Sequence, residues 1–236
     1  NILEEDVVFI NDDIRELSPE EISAISIPEK INYLISKFEV TNKEYLDFIL
    51  EKGYENPKYW KFAIDEDQDF MNSKIKTFTG KFGRIGPSNW SYGMYPDGQE
   101  NFPVTGISWY EAMAYANYKN LSIPNVYQWA SAATLSSSSS FMYNSNFSQN
   151  QLINVGSNEN SNYNGLFDIA GNVREWIVNS LSDDSSIKGI LGGSFNDEPY
   201  YFNDYFGQNS LDRSIGNGIR LVKNLDSEYK TNETAN

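Results

Sequence analysis

The stretch from Asn56 to Glu100 constrains the fold most, because it is rich in Gly, Pro, Trp and Tyr and keeps neither a helical nor a strand period. It predicts a long irregular segment held by aromatic packing rather than by backbone ladders. A loop this long inside a compact domain is unusual. Around it the helix signals are short and well punctuated. In EVTNKEYLDFILEKGY, Thr41 can form a capping box with Glu44, Tyr45, Phe48 and Ile49 share one face, and Gly53 supplies a stop. Ser108 and Glu111 repeat that logic ahead of WYEAMAYANY, and a third short helix should begin near Pro124 and run through NVYQWASAA.

The region from Val7 to Ile35 alternates loosely, which predicts a strand, a polar loop around Ser18 to Glu21, and a second strand at INYLIS. The serine run Ser136 to Ser140 marks a mobile or exposed loop. GLFDIAGNVREWIV, GILGGSF and GNGIRLVKN read as short strands and turns, and no internal repeat is visible. The expectation is an α+β domain with much irregular structure over residues 1–225, followed by a polar tail at 226–236.

Composition then removes whole classes of chemistry. The chain has no cysteine and no histidine, which rules out disulfides, thiolate metal sites and nucleophile systems built on an imidazole. Carboxylate, lysine, arginine, tyrosine and hydroxyl groups remain, and the metal they suit is a hard cation such as calcium. A net charge of −15 repels nucleic-acid phosphates and anionic lipid surfaces. No apolar run approaches the length of a membrane span, and NILEEDVVF lacks the basic start of a signal peptide. GRIGPS near Gly83 lacks the spacing of a phosphate-binding glycine loop.

The order of KFEVTNKEYLDF, FPVTGISWYEAMAYANY, IPNVYQWASAA, GLFDIAGNVREW, LGGSF and GNGIRLV resembles the formylglycine-generating enzyme (sulfatase-modifying factor) family. The matching motifs run from Lys37 to about Lys223, whereas the first 36 residues match poorly. GYENPKYWK, GPSNWSYGMYPDG and LGGSFNDEPYYFNDYFGQNSLDRS look closest to the version at the C-terminal end of some bacterial serine/threonine protein kinases. The resemblance implies a C-type-lectin-like fold. It also removes the family's oxidation, because the two copper-binding cysteines that follow Gly-Gly-Ser fall on or near Asp197 and Phe202 here. No copper is expected.

What the resemblance does carry over is a calcium site, with Asp168 and Glu175 as side-chain ligands and Gly171 and Val173 as carbonyl ligands. Two carboxylates across a tight Gly-Asn turn, supplemented by carbonyls, make a hard oxygen shell. The alternative is that Asp168 caps the turn while Glu175 pairs with a basic residue. A second family calcium site would begin at Asn146 and Phe147, but the segment that completes it is shortened to SQNQLINVG, and that site is expected to be lost.

Aromatic residues mark the other candidate surface. Trp90, Tyr92 and Tyr95 form one group, and Asp197, Tyr200, Tyr201, Phe202, Asp204 and Tyr205, with Asn203 and Phe206 among them, form the expected ligand-binding face. Trp109, Trp129 and Trp176 are expected in the core, and Arg213 and Arg220 are expected to satisfy buried carbonyls and carboxylates. The first expectation is therefore a non-catalytic recognition domain of a larger bacterial kinase or surface protein, on the extracytoplasmic side, binding a peptide, a protein or a small polar ligand. Two others stand beside it: an enzyme with replaced chemistry in which Asp197 or Asp204 is the acid or base, and the variable display protein of a retroelement.

Overall fold

The computed structural model describes residues 7–13, 30–65, 67–135, 139–158, 161–180 and 184–225. The polar loop at Ser18 to Glu21, most of the serine run and the tail from Asp226 lie outside the described residues. Two small sheets carry the strands. β1 (Val7–Asp13) and β2 (Lys30–Ser36) pair antiparallel, and β7 (Val222–Asn224) adds to the other edge of β2. The second sheet runs β5 (Phe206–Asn209), β4 (Ile187–Leu191), β3 (Arg174–Ser180), β6 (Asn217–Gly218), antiparallel except for the parallel β3–β6 pair.

Both predicted capping boxes form. Thr41 and Glu44 close the start of α1 (Asn42–Leu50), and Ser108 and Glu111 close that of α4 (Trp109–Tyr118). The α1 stop is shifted by one residue, since Lys52 takes the left-handed conformation while Gly53 has an ordinary φ. Gly53 is needed for space instead: a Cβ there would sit 2.0 Å from the Phe48 ring. The third helix, α5 (Val126–Ala133), is capped by Asn125 in a box with Gln128, so Pro124 precedes the cap rather than starting the helix.

The segment from Asn56 to Glu100 is not uniformly irregular, which corrects the expectation. It opens with α2 (Pro57–Ile64), capped by Asn56 with Pro57 in the first turn, and α3 (Gln68–Ile75), capped by Asp67. Only from Lys76 onward does the chain become a series of turns. Aromatic packing does hold it: Trp60, Trp90, Tyr45, Tyr54 and Phe48 are buried in one cluster under α1, α2 and α4. A second cluster gathers Trp129, Phe141, Phe147, Leu166 and Phe202 beside β2 and β3, with a one-turn helix, α6 (Ser139–Met142), alongside. Trp109, Trp129 and Trp176 are all buried, as the sequence predicts.

Two arginines, Arg220 fully buried and Arg213 partly so, tie loops that no ladder reaches. Arg220 donates to Glu175 and to the carbonyls of Ser36, Lys37 and Phe167. Arg213 donates through Nε and Nη2 to Glu111 and also binds the carbonyls of Thr79 and Gly86. A planar guanidinium with several fixed donors suits this work, because one side chain satisfies carbonyls from separate loops at once.

Candidate functional site

The segment after Gly193 begins with a tight turn. Ser194 N–H and Oγ both donate to Asp197 Oδ2, and Asp197 Oδ1 accepts from the Arg174 guanidinium. Asp197 is therefore spent on holding the turn and on an ion pair. The chain then enters a short 3-10 helix, Pro199–Asn203, whose three-residue turn directs Phe202 inward and leaves Tyr200 outward. Phe202 is 1% exposed and packs against Trp129 and Phe141 at ring distances of 5.9 and 5.7 Å. The expectation that Phe202 touches ligand is corrected: it is core.

The rest of the expected face is exposed to differing degrees. Tyr200 is 62% and Tyr205 38% exposed, Asp204 is exposed, and Tyr201 is half-buried between Tyr200 and Phe206. Arg174 reaches the same place, with its guanidinium over the Phe206 ring. Beside it lie two unsatisfied polar atoms. Arg174 Nε and Asn217 Oδ1 are buried without a hydrogen-bond partner among the described residues, and these two residues are register partners across β3 and β6. Nothing in the sequence flagged Asn217; only the parallel β6 pairing brings it to Arg174.

The residues named for calcium cluster in a second place. Asp168, at φ +53, accepts from Gly156 N–H through Oδ2, and Glu175 accepts from Arg220 on Oε1 and from the Trp129 indole on Oε2. Glu39, missed in the sequence, joins them by accepting from Asn172 Nδ2 and Val173 N–H. Glu39, Asp168, Glu175 and Arg220 are all buried, so three carboxylates face one guanidinium. Burial, then the charges of Asp168 and Glu175, push the Glu39 carboxyl well above its ordinary range, and burial likewise raises Asp168. Among the described residues no three acidic side chains converge closely enough to hold a metal by themselves. A cation here would need the Gly171 and Val173 carbonyls as well.

The place where the second calcium site would begin is an open, amide-lined depression of about 220 Å³. Asn146, Gln149, Gln151 and Asn158 are among the residues around it.

Comparison with known families places this geometry. The model of the sulfatase-modifying factor enzyme 1-like domain, FGE-sulfatase, matches residues 19–225. The chain belongs to this family. Within it, residues resemble serine/threonine-protein kinase pkn1 of Chlamydia caviae at 27% identity over 146 residues, which is 58% of this chain and 21% of that protein. The uncharacterized protein YfmG of Bacillus subtilis is 33% identical over 104 residues, 43% of this chain and 17% of that protein. The chain thus spans about a fifth of the length of the curated relatives it matches.

Solved structures agree on the fold, which is C-type-lectin-like. CarF superimposes with a TM-score of 0.56 at 17% identity, covering 94% of this chain and 98% of its own. Treponema denticola variable protein 1 gives 0.54 at 16%, covering 92% and 93%, and PvdO from Pseudomonas aeruginosa gives 0.54 at 14%, covering 93% and 91%. At these identities the likeness concerns fold alone. Among the described residues no helix is long and apolar enough to cross a membrane.

Proposed function

We propose that this sulfatase-modifying-factor domain recognises a polar ligand or peptide without transforming it, as the sensing part of a larger bacterial protein. The observation that carries the reading is the fate of the two positions after Gly-Gly-Ser. Asp197 is consumed by Ser194 and Arg174, and Phe202 is buried in the core, so neither presents a reacting group. The exposed Asp204 carboxylate and the partly exposed Arg174 guanidinium support a ligand that brings polar groups of its own. Tyr200 and Tyr205 would supply contact area around them.

Two measurements test this. A sulfatase-type cysteine peptide incubated with the domain and copper should yield no aldehyde above a no-enzyme control by mass spectrometry; aldehyde formation would overturn the non-catalytic reading. A screen of short peptides and glycans, followed through the Arg174 Nε–H resonance, should give ligands that are lost in Tyr205→Ala. Ligands indifferent to that variant, or none at all, would sink the assignment of this face.

We also propose that Asp168, Glu175 and the carbonyls of Gly171 and Val173 hold calcium. Support comes from the buried excess of carboxylate over guanidinium charge, which a hard cation would offset. Glu175 accepts from Arg220 on Oε1 and from the Trp129 indole on Oε2, and Asp168 Oδ2 accepts from Gly156 N–H, so each carboxylate would ligate the ion through a lone pair not engaged in these bonds. The ion's role there would be to stabilise the Gly171–Asn172 turn.

A further inference from the structure

Two aromatic side chains are held out in solvent by turns that ordinarily exclude them. Phe82 and Tyr92 are each 70% exposed, and their rings stack on one another at 4.4 Å with planes 5° apart. Both have left-handed backbone, φ +66 and +56. Phe82 is the third residue of the turn closed by Gly83 N–H to Gly80 carbonyl, a position that favours Gly or Asn when φ is positive. Tyr92 and Gly93, at φ +56 and +80, form the two-residue connection between Ser91 and Met94, which exchange hydrogen bonds at 2.9 and 3.0 Å. That turn strongly prefers Asn-Gly.

A bulky side chain in this backbone region is a genuine outlier, and the fold recovers little of its cost from rings that remain mostly in water. Nor is the platform loose. Lys81 N–H donates to the Trp90 carbonyl, Trp90 is fully buried, and Arg213 pins the carbonyls of Thr79 and Gly86 from beneath. Fixed and exposed aromatic rings cost little entropy on association, which is the property of interface anchors.

Charge decides what they meet. Lys81 and Arg84 flank Phe82, both are exposed, and neither is ion-paired among the described residues. Met94, 47% exposed, extends the apolar surface. On a molecule with net charge −15, a cationic spot around exposed rings attracts acidic groups that the overall charge repels, so it orients an incoming partner. We infer that the Phe82–Tyr92 pair with Lys81 and Arg84 is a docking site for an acidic protein segment that also carries apolar side chains. It shares no residue with the Tyr200–Tyr205 face.

A phage-displayed dodecapeptide library panned on the domain supplies the probe. Peptides that combine Asp or Glu with aromatic or aliphatic residues should be enriched, and the synthetic peptides should lose at least about tenfold in affinity against Phe82→Asn/Tyr92→Asn and against Lys81→Glu/Arg84→Glu. Tyr200→Ala should bind as wild type does. The asparagine variant suits its turns, so its melting temperature should match or exceed that of the wild type. Any of four results would overturn the inference: enrichment of peptides without acids, undiminished binding by the asparagine variant, a melt of that variant well below wild type, or ring-dependent dimerisation in sedimentation equilibrium in place of peptide binding.

Discussion

Phe202→Ala separates a core role for the 3-10 segment from a ligand-binding one. Phe202 is 1% exposed between Trp129 and Phe141, so truncation removes a full aromatic ring and leaves a cavity that two large rings cannot easily close. Such changes cost about 3–5 kcal/mol. With a urea m-value of about 3 kcal/mol per molar for a chain this size, the unfolding midpoint should fall by about 1–1.7 M. Tyr200, two residues earlier and 62% exposed, should lose little on truncation, about 0.5–1 kcal/mol including its stack on Tyr201. Urea unfolding followed by tryptophan fluorescence measures both, since Trp129 lies against the Phe202 site. Equal losses for the two variants, or a near-native midpoint for Phe202→Ala, would refute the inward assignment of Phe202 and return both rings to the ligand face.

The other expected outcomes are more local. Arg220→Met should destabilise by about 3–5 kcal/mol in the same assay, because it leaves Glu175 buried without its cation and frees the Ser36, Lys37 and Phe167 carbonyls; a loss under about 1 kcal/mol would show that the pair is dispensable. Calcium should raise the melting temperature relative to chelator, and Asp168→Asn should remove the rise while leaving the Arg220–Glu175 pair intact; identical wild-type melts in calcium and chelator would sink the site. In alkali, Tyr118 should ionise late, its hydroxyl being pushed up to about 12 first by burial and then by Glu51, and Tyr118→Phe should delete that step from the ultraviolet titration. Burial also raises Tyr45, Tyr54 and Tyr115 well above the ordinary range, so the folded state disfavours their phenolates. Their stabilising effect is complete below the ordinary tyrosine range near 10 and is lost as pH rises beyond it. Unfolding should accompany their ionisation, and reversible ionisation of all three in the folded protein would contradict their burial.

What the sequence made legible was whatever short-range chemistry decides. Thr41 with Glu44 and Ser108 with Glu111 are three residues apart, and each pair closes its helix as the spacing dictates. Asn56-Pro57 carries an equally local signal, a capping side chain followed by proline in the first turn, but the aperiodic Gly, Pro and aromatic composition around it masks the helix. The family order of motifs identified the fold, and the basic partner that the alternative reading of Glu175 required proves to be Arg220, 45 positions away. Glu39 gave no warning, because its partners Asn172 and Val173 are 133 and 134 residues distant. The same is true of Phe202, whose inward direction depends on a three-residue turn that an aromatic-rich segment does not announce.

These long-range contacts also explain how the fold holds without a thiol at the positions after Gly-Gly-Ser. The loops of this domain are held by two arginine–carboxylate centres, the partly buried Arg213 with Glu111 and the buried Arg220 with Glu175, together with the capping boxes and tryptophans. Glu111 alone closes α4 through Ser108, accepts from the Tyr54 hydroxyl and pairs with Arg213, so one carboxylate joins a helix start, the aromatic cluster and the loop after Asn209. None of these groups lies at the positions after Gly-Gly-Ser. Those positions carry an ion-paired aspartate and a buried phenylalanine, which add to what holds the loops. The Ser194–Asp197–Arg174 network even adds a link from that turn to β3. A scaffold whose loops are tied from beneath keeps its surface positions free to change, and in this chain the exposed rings at Phe82, Tyr92, Tyr200 and Tyr205 lie at such positions.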